Sequence, residues 1–158
     1  MTADITPDIT SDMCPIGRDI IKQYLPHREP ILLVDQVLSF DKTNIATEIA
    51  LSAHMELFEG HFPDRAILPG VYMIEMAAQA GALLVSMSHG LDAQKFIAFS
   101  GVDKVKFRRP VKPDDIIRVD VEIVKIRGPF YKFTGKLRVE GDVVASLDFS
   151  ASEMNFNA

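Results

Sequence analysis

A single cysteine, Cys14, is all the thiol chemistry that 158 residues offer. It excludes an internal disulfide and a multi-cysteine metal site, and it fits a reducing compartment, which places the expected location in the cytoplasm. A surplus of positive charge is also missing. The formal net charge is −5, whereas a general nucleic-acid footprint would carry the opposite sign. The opening "MTADITPDITSDMCP" has no basic residue and no apolar core, so it does not read as a secretory signal. No Gly-x-Ser-x-Gly elbow, Walker loop, Gly-x-Gly-x-x-Gly or His-Glu-x-x-His pattern is present. Repeats, low-complexity blocks and internal linkers are absent too.

What is present is a core. Hydrophobic residues make up 47% and charged residues 25%, which suits one domain and excludes compositional disorder. Residues 1–16 read as a flexible tail and 17–158 as the single domain. "IGRDIIKQYLPHREP" starts as a short helix stopped by Pro26. "ILLVDQVLSF" reads as a strand, "DKTN" as a turn and "IATEIAL" as its hairpin partner. Later alternating segments begin at Val102, Ile116, Phe130 and Val143, with Val124 breaking parity and suggesting a bulge. Between the two sets runs one long apolar helix, from Val71 to about Met87, started by Pro69–Gly70 and stopped by His89–Gly90. The order predicts an α+β fold, a mostly antiparallel sheet wrapped around one buried helix. By length the run from Ala66 to Ser88 would cross a bilayer, but Glu75, Gln79 and the flanking strands argue for a soluble core helix.

Glu75 is the only charged residue between Ala66 and Ser88. On a helix, Glu75 and Gln79 share a face at i and i+4, and Tyr72 and Ser86 fall on the same stripe. A carboxylate in an apolar setting needs a partner, and burial pushes its pKa up, as a general acid near neutral pH requires. The bland alternative is that Glu75 only bonds Gln79, Tyr72, a backbone group or a partner chain. His61, in the "GHFP" loop, is a candidate base because its pKa falls near 7. The free N–H groups at Gly70–Val71 can hold a carbonyl oxygen as it gains charge, and Gly70 lets a ligand approach the backbone. Base, acid and oxyanion donor suit proton abstraction beside a carbonyl. His54, Glu56, Glu59 and His61 match no standard metal spacing, so no metal is expected. His27 and His89 read as turn or helix-end residues. Residues 103–112 carry Lys104, Lys106, Arg108, Arg109 and Lys112 against Asp103, either a solvated strand face or a dock for an acidic partner.

At these residues the sequence resembles the 3-hydroxyacyl-[acyl-carrier-protein] dehydratases of bacterial type II fatty-acid synthesis, the FabZ type. The segments are "LPHREPILLVDQVL", "GHFPDRAILPGV" with "IEMAAQ", and "FSGVDKVKFRRPVKPDD". The resemblance runs from about Ile20 to Ser150. It implies a hotdog fold and a homodimer with two shared sites, often assembled as a trimer of dimers. It implies that His61 and Glu75 form the catalytic pair from opposite subunits, and that the Gly70 N–H polarises a thioester carbonyl. Gln79 and Tyr72 are supporting residues in this reading. The substrate would be a 3-hydroxyacyl chain on the phosphopantetheine of acyl carrier protein, losing water to a trans-2-enoyl thioester without metal or redox cofactor. The acyl chain would occupy an apolar tunnel beside the helix.

The sequence departs from the family pattern at three places. Glu29 stands where an apolar residue, often Phe, is usual. Asp64 and Ala66 replace the common Gly and Pro after "HFP", and "EMAAQ" replaces "EAMAQ". These bear on chain length and pathway, including polyketide or aryl-polyene systems, and leave the proposed chemistry in place. Bifunctional dehydratase-isomerase relatives usually carry Asp at the acid position, so Glu75 argues against isomerisation. The competing readings are a hotdog thioesterase and a non-catalytic acyl-binding subunit.

Overall fold

The computed structural model describes residues 8–157. In chain order the elements are β1 (Ile16–Gly17), α1 (Arg18–Tyr24), β2 (Gln36–Phe40), β3 (Asn44–Ala50), α2 (Gly70–His89), β4 (Lys95–Phe107), β5 (Ile116–Arg127), β6 (Phe130–Val139) and β7 (Asp142–Asn155), with single 3-10 turns at Ser11–Met13, Leu51–Ala53 and Met55–Phe58. All strand pairings are antiparallel, and the sheet order is β1-β2-β3-β5-β6-β7-β4. This is the α+β hotdog arrangement, a sheet packed on one central helix.

The alternation of β5 explains the packing. Ile117, Val119, Val121 and Ile123 are buried while Arg118 and Glu122 face out, so one face of the strand meets α2. The register slips between Ile123 and Lys125, where the sequence parity breaks at Val124. Opposite, Met76, Ala80, Leu83 and Leu84 of α2 are fully buried. Gly81 is required by packing, because an added Cβ would stand 3.0 Å from the Phe149 ring. α2 ends at Gly90, whose φ of 65° is the left-handed conformation expected of a helix stop. His89 Nε2–H donates to the Lys42 carbonyl at 2.8 Å, fixing the helix end to the β2–β3 turn.

Two expectations change. The apolar run "ILLVD" is not strand: β2 begins only at Gln36. Leu32, Leu33 and Val34 are buried, but the Leu33 N–H bonds the Gln79 side chain rather than a neighbouring strand. Of the expected tail, residues 1–7 lie outside the described residues. In 8–16, Ile9 and Ile16 are buried in the core and Ile16 pairs with Val37. The packed unit therefore begins before position 17, because two apolar side chains find cover there.

An ionic cluster ties α1 to the chain that follows it. Arg18 Nη2 lies 2.8 Å from Asp35 Oδ1, and Arg18 Nη1 lies 2.9 Å from Glu29. His54 Nε2 lies 2.9 Å from Asp35 Oδ1, and the Ala50 N–H donates to Asp35 Oδ2 at 2.7 Å. Burial opposes the charge on Asp35, but the bonds from His54 and Ala50 with the Arg18 charge outweigh it and hold the carboxyl below its usual range. Glu29, bonded by Lys22 and Arg18, is pulled down to about 2.

Candidate active site

Glu75 lies in the second turn of α2, where its side chain is 35% exposed and not fully enclosed. Gln79 is the residue that holds it. The Gln79 side chain is 1% exposed and uses three of its bonding positions. Its Oε1 accepts from the Leu33 N–H at 2.8 Å, and its Nε2 donates to the Ile31 carbonyl at 2.7 Å and to Glu75 Oε1 at 2.8 Å. The amide orientation follows from its backbone partners, since only a carbonyl oxygen can accept from Leu33 and only an NH2 can donate to Ile31. Glu75 Oε1 is thereby fixed, and Oε2 has no bond among the described residues.

His27 joins this pair, although its sequence context suggests only a turn. Its Nε2 lies 3.7 Å from Glu75 Oε1, too far for a direct hydrogen bond. Its Nδ1 is buried with no partner among the described residues. Burial lowers its pKa, Glu75 works against that, and Arg28 adds to it. A Pro-His-Arg loop gives no signal for the contact; it exists because Gln79 draws residues 31–33 onto α2. Tyr72 is partly buried against the core and does not line the cavity at Glu75.

That cavity has a volume of about 750 Å³ and lies between the end of α1, the face of α2 and β4. His27, Glu75, Gln79, Ala82 and Phe99 are among its walls. His61 is not. It sits in a loop closed on itself: the His61 N–H meets the Phe58 carbonyl at 3.1 Å, and the Ile67 N–H meets the His61 carbonyl at 2.9 Å. His61 Nδ1–H donates to the Ile67 carbonyl at 2.8 Å. A carbonyl can only accept, so the proton of the neutral ring is on Nδ1 and Nε2 keeps its lone pair. The ring stacks on Phe62 with centroids 4.2 Å apart. Asp64 is exposed at the tip of this loop and Ala66 packs against the core.

α2 starts at Gly70, and no acceptor meets the Gly70 N–H among the described residues. The close approach expected there is made by a side chain: a Cβ at position 70 would stand 2.7 Å from the Phe107 ring. The basic segment adjoins this point, at the end of β4. Lys104 is 3.8 Å from Asp148, and Arg109 donates to the Val139 carbonyl at 3.1 Å. Lys106 and Arg108 are exposed and make no ion pair among the described residues. No group of three or more His, Cys, Asp or Glu side chains is disposed to hold a metal among the described residues.

A profile of the FabA-like domain matches residues 25–148. The chain belongs to that dehydratase family. Relatives of this FabA-like chain include the 3-hydroxyacyl-[acyl-carrier-protein] dehydratase FabZ of Anaeromyxobacter dehalogenans, 41% identical over 83% of this chain and 86% of the relative. The FabZ of Staphylococcus carnosus is 39% identical over 82% and 90%. Among solved structures, the dehydratase heterocomplex ApeI:P of Xenorhabdus doucetiae superposes with a TM-score of 0.73 at 20% identity, covering 87% of this chain and 92% of that one. Thioesterase HI1161 of Haemophilus influenzae superposes at 0.59 with 14% identity, covering 78% and 80%. A dehydratase and a thioesterase share this fold, so the fold of the FabA-like chain does not by itself choose between them.

Proposed function

We propose that the chain dehydrates 3-hydroxyacyl-[acyl-carrier-protein] to the trans-2-enoyl thioester in fatty-acid or related acyl-chain biosynthesis. The observation that carries this is the division of the machinery. A histidine with its Nε2 lone pair free and a glutamate with Oε2 free stand in different surroundings, each held by backbone-anchored bonds. Within one chain His61 does not line the cavity that contains Glu75. β4 supports a second copy. It is thirteen residues long and ends the sheet order, with Phe99, Val102 and Phe107 exposed. An unpaired edge of that length invites pairing. Two copies joined edge to edge would form the shared site, His61 from one and Glu75 from the other.

The chemistry follows. His61 Nε2 takes the C2 proton, and the C2–H electron pair becomes the C2–C3 double bond. The C3–O bond breaks, and Glu75, acting in its protonated form, delivers the Oε2 proton that makes the leaving hydroxide water and is left as the carboxylate. The Gly70 N–H, aided by the α2 dipole, bears the charge that gathers on the thioester oxygen. The acyl chain lies in the cavity beside α2. Lys106 and Arg108, with Lys104 and Arg109, give an acidic carrier protein its electrostatic guide. A carrier-linked substrate and a lone cysteine suit the cytoplasm.

A mass-spectrometric assay on carrier-bound 3-hydroxyacyl substrates tests the reading. The expected product is lighter by one water and still thioester-linked, and both His61→Ala and Glu75→Gln slow its formation by about 1000-fold. Wild-type rates in both variants would sink the mechanism. Free carrier thiol in place of enoyl product would make the chain a thioesterase.

A further inference from the structure

The cavity does not stop at Glu75. Its helix wall continues through Ala82 and Ser86 to Gly90. At 100° per residue Ala82 and Ser86 stay within about 20° of Glu75, so one stripe of α2 floors the cavity up to Gly90, the residue that stops the helix. At 1.5 Å per residue, Gly90 lies about 22 Å from Glu75 along the axis. Past Gln79 the α2 side chains that line it are the methyl of Ala82, the hydroxymethyl of Ser86 and, beside them, Met87. Ile97, Ala98 and Phe99 of β4 face them. An extended hydrocarbon advances about 1.2 Å per bond, by the geometry that gives an extended backbone about 3.5 Å for three bonds. With carbon 3 at Glu75, about 13 further bonds bring a sixteen-carbon chain level with Ser86, and a four-carbon substrate would leave most of that floor uncovered.

We infer that this cavity selects long-chain 3-hydroxyacyl thioesters, of about sixteen carbons by that geometry, and that Ala82 and Ser86 set how far the chain can run. The inference rests on the dehydratase reading. It treats α2 as a ruler: Glu75 marks the reacting carbons, Ala82 lies about 10 Å further and Ser86 about 16 Å further along the axis. Each methylene that leaves water for this wall improves binding roughly four-fold. A bulky side chain on the floor closes the cavity at the length where it stands, so the two positions cut off different chains.

The test is kcat/KM on carrier-bound 3-hydroxyacyl substrates of four, eight, twelve and sixteen carbons, for the full chain and two variants. The native protein is expected to favour sixteen carbons over four by about ten-fold or more. Ser86→Phe lowers the sixteen-to-eight ratio at least about ten-fold, and Ala82→Leu lowers the twelve-to-eight ratio as well. A flat length profile in the native protein overturns the inference. So does a Ser86→Phe variant whose ratios match the native ones. Ala82 is 7% exposed, so circular dichroism checks that its variant folds; Ser86 is half-buried and decides the matter alone if it does not. Failure to dehydrate any length would instead count against the dehydratase reading.

Discussion

Two polar clusters hold the loop between α1 and β2, and they are built differently. At Asp35, both carboxylate oxygens are engaged, by Arg18, His54 and the Ala50 N–H. At Glu75, one oxygen is held by Gln79 and the other is left over, while His27 nearby keeps a buried nitrogen without a partner among the described residues. A carboxyl group whose bonds are all made within the chain has nothing left to offer a substrate. One held by a single oxygen is oriented and still available. In the proposed mechanism the number of bonds left unmade, more than the presence of charge, separates scaffold from chemistry.

The sharpest way to break this comparison is to truncate one acid in each cluster. Glu75→Gln keeps shape and the Gln79 contact, and should lower kcat about 1000-fold, within the span of general acid catalysis, with an unchanged thermal midpoint. Asp35→Ala leaves Arg18 and the Ala50 N–H without their partner and should cost about 2–3 kcal/mol, read by chemical denaturation, while the folded fraction keeps its kcat. If Asp35→Ala destroys activity in fully folded protein, the division between the clusters is wrong. Gln79→Leu stands between them. It orphans the Leu33 N–H and the Ile31 carbonyl and releases Glu75, so stability should fall by about 2 kcal/mol and kcat by about 10-fold. Loss of stability alone would show that Glu75 needs no positioning.

The smallest effect is the pH dependence of His27. Burial holds its folded pKa below the ordinary 6.5. Between the lowered value and 6.5 the unfolded chain binds more protons, so stability should rise with pH across that window. The gain is complete above 6.5 and lost as pH falls through the folded value. Urea denaturation of wild type and His27→Leu between pH 5 and 7.5 would show the slope in the first and a shallower slope in the second. Equal slopes would assign the pH dependence to other groups.

Much of this architecture can be read from local signals. Pro69–Gly70 and His89–Gly90 bracket α2, which starts one residue before the expected Val71 and ends two after the expected Met87, and the alternation of β5 with its bulge follows directly from side-chain order. The Glu75–Gln79 bond follows from i, i+4 spacing. The segment 31–35 misleads because an apolar run fits strand and buried loop equally well; its backbone partner is a side chain 46 residues away. His27 is invisible for the same reason, since a loop histidine acquires meaning only when a distant amide draws its loop onto the helix. The cavity is a property of three elements at once and has no linear signature.

The Phe107 ring over Gly70 carries a lesson for anyone reading mutational data on this chain. An alanine at 70 would have to push aside an aromatic ring on the edge strand before it altered any bond to substrate. A dead Gly70→Ala protein would thus be ambiguous, reporting a displaced strand as readily as a lost donor. Trimming the ring first, with Phe107→Ala as the background, would make room for the methyl and let the backbone amide be judged on its own.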